Sequence, residues 1–303
     1  MTYFDQISWN NLNWKLLLVG IVSLMISSCS PVNDMPVKGV GGKNTTACFY
    51  RGSGSLCMHT KETADSVDQY FQINALEPVT IANNAYFSNL QGHFKPFSRC
   101  FLGTHTVPTL HMKKPKPGEN KEDGWWEYKG RFNYHVGCKT RQHDDKVIYD
   151  LPYPRGQKYK VIQSDHGIKS HSDELDYAYD WQMPEGSPVH AARSGTVIDT
   201  FDRLAEWDEK APSSYVYVSH SDGTVGQYRN LKYKGCVVKK GQKINKGDLL
   251  GLSREFLHFH VSTPTPGDTF AFKTFPLRFH TQEGVTELEH GRWYQNPTCV
   301  QGN

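Results

Sequence analysis

Short β-forming runs separated by glycine-containing turns recur through most of this chain, and that pattern constrains its fold more than any other feature. Gly195-Thr196-Val197-Ile198-Asp199, Tyr215–His220, Gly247–Leu252 and Phe256–Ser262 are runs of this kind. Ser221-Asp222-Gly223 and Lys239-Lys240-Gly241 lie between them as hairpin signals. Upstream, Ala75–Ile81 and Trp126–Tyr134 mix β-formers in the same way. Pro78 restricts the first of these to an edge position or to a strand that begins at Val79. The one helical signal in this part is a short turn near Glu62–Gln69, and Lys113–Gly124 reads as a solvated loop. Leu151-Pro152-Tyr153-Pro154-Arg155-Gly156 punctuates the chain. The expectation is a mainly all-β protein with two units. Residues 44–150 form an N-terminal β-sandwich-like domain, and residues 151–303 form a second domain built on an antiparallel β-sheet core.

The N-terminus reads differently. Leu16–Ile26 is an apolar run after Lys15, shorter than the roughly 20 residues a membrane-spanning helix needs. It stops at small residues, as a signal peptide does. Ile26-Ser27-Ser28-Cys29 resembles the bacterial lipobox, in which the cysteine is lipidated. Residues 1–28 are therefore expected to be a lipoprotein signal peptide, Cys29 the lipid-attachment site and 29–43 a tether. The alternative is an ordinary secretory signal. Ser30 after the cysteine points to anchoring at the outer membrane, facing the periplasm. Of 7 cysteines, Cys48, Cys57, Cys100, Cys138, Cys236 and Cys299 remain. An even number in an exported chain, with no CxxC pair, favours disulfides over thiolate metal ligation. Nearest-neighbour pairing (48–57, 100–138, 236–299) is the simplest of many arrangements. The net charge of +3 gives no reason to expect a nucleic-acid partner. No GxGxxG, Walker or GxSxG sequence is present, which argues against nucleotide binding and serine catalysis.

The residues able to do chemistry lie in the second unit. In a strand over Phe256–Val261, His258 and His260 share one face, while Leu257, Phe259 and Val261 take the apolar face. A bare HxH is a weak signal in a chain with 14 histidines. Asp180 stands inside the aromatic run Tyr177-Ala178-Tyr179-Asp180-Trp181, where an unpaired charge is costly. It either pairs with Arg193 or caps the Pro184-Glu185-Gly186 turn, or it joins His171 and one histidine of the pair in a His₂Asp metal set. Such a set leaves one position for water, as in catalytic zinc sites. His166 and His190 flank the segment and His220 sits in a turn. All three read as structural or surface residues. Trp125 and Trp126 are candidates for glycan contact.

Four stretches stand in an order that resembles the lysostaphin/LytM-type zinc metallopeptidases. They are SHSDELDYAYDWQMPEGSPVHAARSGTV (170–197), YVYVSHSDGTVGQYRNL (215–231), VKKGQKINKGDLLGLS (238–253) and LHFHV (257–261). The resemblance implies one bound Zn²⁺ held by His171, Asp180 and His260, with His258 as catalytic histidine. It also implies hydrolysis of peptidoglycan stem or cross-bridge peptides. Peptidoglycan and the membrane, reached through the Cys29 anchor, are then the partners. Two departures stand out. Asn230 occupies the place of a second catalytic histidine, and only Arg254-Glu255-Phe256-Leu257 separates Ser253 from His258. These departures keep a second reading open, in which a degenerate, non-cleaving relative binds the cell wall or regulates an amidase.

Overall fold

The computed structural model describes residues 33–37, 45–94, 96–116, 127–164, 171, 173–202, 213–268 and 270–298. The signal segment, Cys29, Trp125, Trp126, His166 and Cys299 lie outside these residues. Among the described residues the chain is built of strands and one short 3₁₀ turn, Asp173–Leu175. No helix there is long and apolar enough to cross a membrane.

The first unit, expected as a β-sandwich, is one hydrogen-bonded sheet of seven strands. Its spine is the long strand Ser66–Ser88, which pairs with Gly54–Glu62 near its start, Glu127–Val136 near its end and Phe97–Lys113 along most of its length. The register slips between Ala75 and Val79, so Pro78 sits in an irregularity and regular pairing resumes at Val79. That is where a residue lacking an N–H is tolerated. The Glu62–Gln69 region is a turn between strands, with Thr63 N bonded to Ser66 O, because both flanks are claimed by cross-strand pairing. The segment expected as a tether contains the strand Asn33–Val37, paired with 128–132. Disulfides join Cys48 to Cys57 and Cys100 to Cys138. Among the described residues Cys236 carries a free thiol, and its expected partner Cys299 lies outside them. The Cys236 Sγ lies 3.5 Å from the Phe201 and Tyr215 carbonyls.

The second unit is built on a ten-stranded sheet, all of whose pairings are antiparallel, and Arg278–Thr281 joins Gly284–Thr286 and, in parallel, Ile148–Asp150 in a separate three-stranded sheet. Its central strand, Leu249–Pro264, lies between Val225–Cys236 and Tyr179–Gln182. Alternation sorts the side chains. Leu257, Phe259 and Val261 join Tyr179, Trp181 and Tyr228 in the main apolar core, all 1% exposed or less. Burial of each such side chain contributes roughly 1.5–3 kcal/mol. The opposite face carries His258, His260 and Ser262, and directly opposed residues on neighbouring strands share that face.

The first unit packs over this second face. Val136 meets Tyr215, Tyr217 and Val225, which are in register with Arg229, Gln227 and Ser262. Ser98 Oγ donates to Thr265 O at 3.0 Å, and Thr140 Oγ1 to Pro264 O at 3.0 Å. Asn133 Nδ2 donates to Glu174 Oε1. The face that alternation frees from the core is thus covered by the other half of the chain.

Candidate metal centre

Asp180 and His258 are direct cross-strand partners, which places the carboxylate beside the first imidazole of the HxH pair. His258 Nδ1 lies 2.8 Å from Asp180 Oδ1, and His258 Nε2 lies 3.0 Å from His260 Nδ1. One proton arrangement satisfies both contacts: Nδ1–H of His258 donates to the carboxylate, and Nδ1–H of His260 donates to His258 Nε2. His260 Nε2 is then left with a free lone pair, buried and without a hydrogen-bond partner. On the other side, His171 Nδ1 approaches Ser164 O at 3.3 Å, and its Nε2 faces Asp180 Oδ2, also at 3.3 Å. With Nδ1 as the donor and the ring neutral, two lone pairs confront each other there, an arrangement relieved by a proton on Nε2 or by a cation between them.

Burial opposes charge on Asp180, but the facing imidazoles of His258 and His171 outweigh it and hold the carboxyl well below the usual carboxylate range. Burial lowers the His258 pKa against the pull of Asp180. Burial and the neighbouring His258 lower that of His260 further. These side chains are almost completely buried: His171 is 1% exposed, Asp180 and His260 0%, and His258 3%. The ligand atoms of His171, Asp180 and His258 converge within 4.8 Å of one another, and His260 is linked to them through His258. Hydrogen-bond accounting separates the roles. His258 has both nitrogens engaged, whereas His260 Nε2 is buried with no hydrogen-bond partner and His171 Nε2 has only the 3.3 Å approach to Asp180. Two imidazoles and one carboxylate suit zinc.

Asn230 is placed differently from the imidazoles. Its backbone is left-handed (φ 64°), a conformation asparagine tolerates better than most residues, and its Nδ2 donates to Phe256 O at 2.9 Å. Arg193, weighed above as a partner of Asp180, pairs with Asp222 at 2.7 Å. His220 Nδ1 contacts Ser194 O at 3.0 Å, and His190 is half-buried on the edge strand Pro188–His190. Neither joins the cluster.

Three contributors escaped sequence reasoning. Gln163 Nε2 donates to Asp180 Oδ2 at 2.8 Å from the strand Lys158–Gln163. That pairing had no sequence signal. Arg229 lies opposite His258 in register, and alternation from the buried Tyr228 could have placed it on this face. His135 comes from the first unit, with Nε2 3.0 Å from Ser262 Oγ. Burial lowers its pKa to about 4.

Residues 174–264 match the model of Peptidase family M23. Comparison with curated proteins gives no match. Among solved structures, the chain is similar to Helicobacter pylori Csd3. In the hexagonal crystal the identity is 13% and the TM-score 0.31, over 74% of this chain and 72% of that one. In the orthorhombic crystal the identity is 13% and the TM-score 0.29, over 74% of each. It is also similar to a zinc containing peptidase from Vibrio cholerae, at 13% identity and TM-score 0.24, over 68% of this chain and 77% of that one.

Proposed function

We propose, from the match of residues 174–264 to the model of Peptidase family M23, that the chain is a zinc-dependent endopeptidase acting on peptide bonds of peptidoglycan stems or cross-bridges. The observation that carries this reading is the convergence of buried ligand atoms: His260 Nε2 has no hydrogen-bond partner and His171 Nε2 faces the Asp180 carboxylate at 3.3 Å. Those three residues would hold the metal. A zinc bound there would supply Lewis acidity and a bound water that ionises near neutral pH. Asp180 fixes the tautomer and orientation of His258 through the 2.8 Å contact to Nδ1. Burial disfavours charge on His258; with its contact to His260 released, its Nε2 would be the group to take a proton from the attacking water. Gln163 secures the second carboxylate oxygen. We further place the protein at the cell envelope, anchored at Cys29 and facing the periplasm, where peptidoglycan is the accessible peptide polymer.

One observation favours the non-cleaving alternative: the Asn230 amide is spent on Phe256 O instead of reaching toward the histidines. Metal analysis combined with digestion of purified peptidoglycan separates the two readings. The enzyme reading expects about one zinc per chain and release of shortened muropeptides, both lost in His260→Ala. Zinc bound without any cleavage would assign the chain to wall binding or amidase regulation.

A further inference from the structure

The metal-site face of the second sheet continues past Asp180 to the sheet's edge. Gln182 stands two residues after Asp180 on the same strand, so its side chain leaves the sheet on the same side. Gln182 opposes Lys160, and Lys160 opposes Trp293 on the edge strand Trp293–Gln295. Their chain neighbours Trp181, Val161 and Tyr294 all point into the apolar core. Gln182, Lys160 and Trp293 therefore form one cross-strand row on the face that carries Asp180 and His258. Ser262, Pro264 and Thr265, which the first unit contacts, lie beyond His258 in the direction away from Gln182. The row is open to solvent: Gln182 is exposed, Lys160 half-buried and Trp293 52% exposed. None of the three side chains has a hydrogen-bond or ion-pair partner among the described residues. The strand beneath the indole is pinned. Tyr294 is buried, its carbonyl accepts from Tyr153 Oη at 2.8 Å, and its own hydroxyl accepts from Glu289 N at 3.0 Å. A large aromatic side chain held in water on a fixed strand is suited to anchoring a ligand.

We propose that the Gln182–Lys160–Trp293 row is a glycan subsite beside the metal centre, with the indole stacking on the apolar face of an amino-sugar ring, the Gln182 amide bonding its acetamido group and the Lys160 ammonium its hydroxyls. An indole offers a flat apolar surface, and the amide and ammonium supply directed donors that need no charged partner. Position selects this occupant. Two residues along a strand and two strands across set Trp293 about 12 Å from Asp180, roughly the span of three to four extended residues. A peptide hanging from a glycan strand reaches the histidines while a sugar of that strand rests on the indole. The proposal rests on the peptidoglycan reading for the identity of the ligand.

The test is binding without turnover. The full chain, in a detergent without a sugar headgroup, is titrated with chitotetraose, a peptide-free amino-sugar tetramer, and the heat of binding is followed. Trp293→Ala should weaken binding about tenfold or more, and Trp293→Tyr should stay within about threefold of the native chain. Lys160→Gln and Gln182→Ala should each cost roughly two- to tenfold. With intact peptidoglycan as substrate, Trp293→Ala should raise KM more than it lowers kcat. No binding of chitotetraose, or binding that survives Trp293→Ala in a protein of unchanged thermal stability, overturns the subsite. Loss of binding on changing Trp125 and Trp126 but not Trp293 does the same, as does Trp293-dependent attachment to phosphatidylglycerol vesicles without glycan binding. Trp293-dependent glycan binding in a chain that cleaves no peptidoglycan supports the subsite and overturns only the hydrolytic reading. Cleavage without glycan binding overturns only the subsite.

Discussion

The two histidines of the HxH pair can be told apart by metal affinity. His260 presents an unpartnered Nε2, whereas His258 spends Nδ1 on Asp180 at 2.8 Å and Nε2 on His260 at 3.0 Å. Structural zinc sites bind with about 10–16 kcal/mol over four ligands, so one ligand carries roughly 3–4 kcal/mol, or about 10²–10³-fold in affinity. His260→Ala should lose that much. His258→Ala removes only the brace on Asp180 and His260, a change that typically costs about 10–100-fold. The catalytic consequences should diverge in the opposite sense. At saturating zinc, His258→Ala should lower kcat by roughly 10²–10⁴-fold. Competition against a chromophoric chelator measures the first quantity, and turnover of a peptide substrate measures the second. If His258→Ala loses zinc more severely than His260→Ala, the reasoning fails. The convergence of His171, Asp180 and His258 within 4.8 Å would then mark the ligand set.

Three further outcomes are expected. His135 and His220 are buried, and burial lowers each pKa to about 4 in the folded chain, against 6.5 unfolded. The unfolded state therefore binds more protons between pH 6.5 and 4. Stability is fully present above pH 6.5 and falls by roughly 3 kcal/mol per histidine toward pH 4; denaturant midpoints for His135→Gln should show the slope reduced by about one proton. Asn230→His should give no gain in peptidase activity and should lower stability by about 1–3 kcal/mol, read by thermal unfolding, because it loses the bond to Phe256 O and places histidine at φ 64°. Gly52→Ala should destabilise the packing of the two units by roughly 1–3 kcal/mol, because its Cβ meets Asp199 Oδ1 and the Thr200 carbonyl. Faster proteolysis between the units would report it, and an unchanged rate would contradict the contact.

The central part of the site was legible because strand alternation is a strict rule. Once Leu257, Phe259 and Val261 are assigned to a core, His258 and His260 have only one face left, and the same logic turns Asp180 away from Tyr179 and Trp181. Alternation is silent on which distant strand pairs with which. Gln163 therefore could not be found, and neither could the cover that brings His135 within 3.0 Å of Ser262.

The two departures noted in the sequence turn out to be one structural feature. Leu231 pairs with Ser253 and Arg229 with His258, so five steps on the central strand oppose two on its neighbour. The short Arg254–Leu257 link is thereby forced into a bulge inside a continuous strand, Leu249–Pro264. A bulge disturbs the regular ladder, and here the Phe256 carbonyl takes its hydrogen bond from the Asn230 side chain. The opposing strand must also bend at this point, and it does so through the left-handed Asn230. A histidine in the same place would meet neither demand as well. Asparagine at 230 fits this bulge through its side-chain bond to Phe256 O and its left-handed backbone, so the residue answers to backbone geometry.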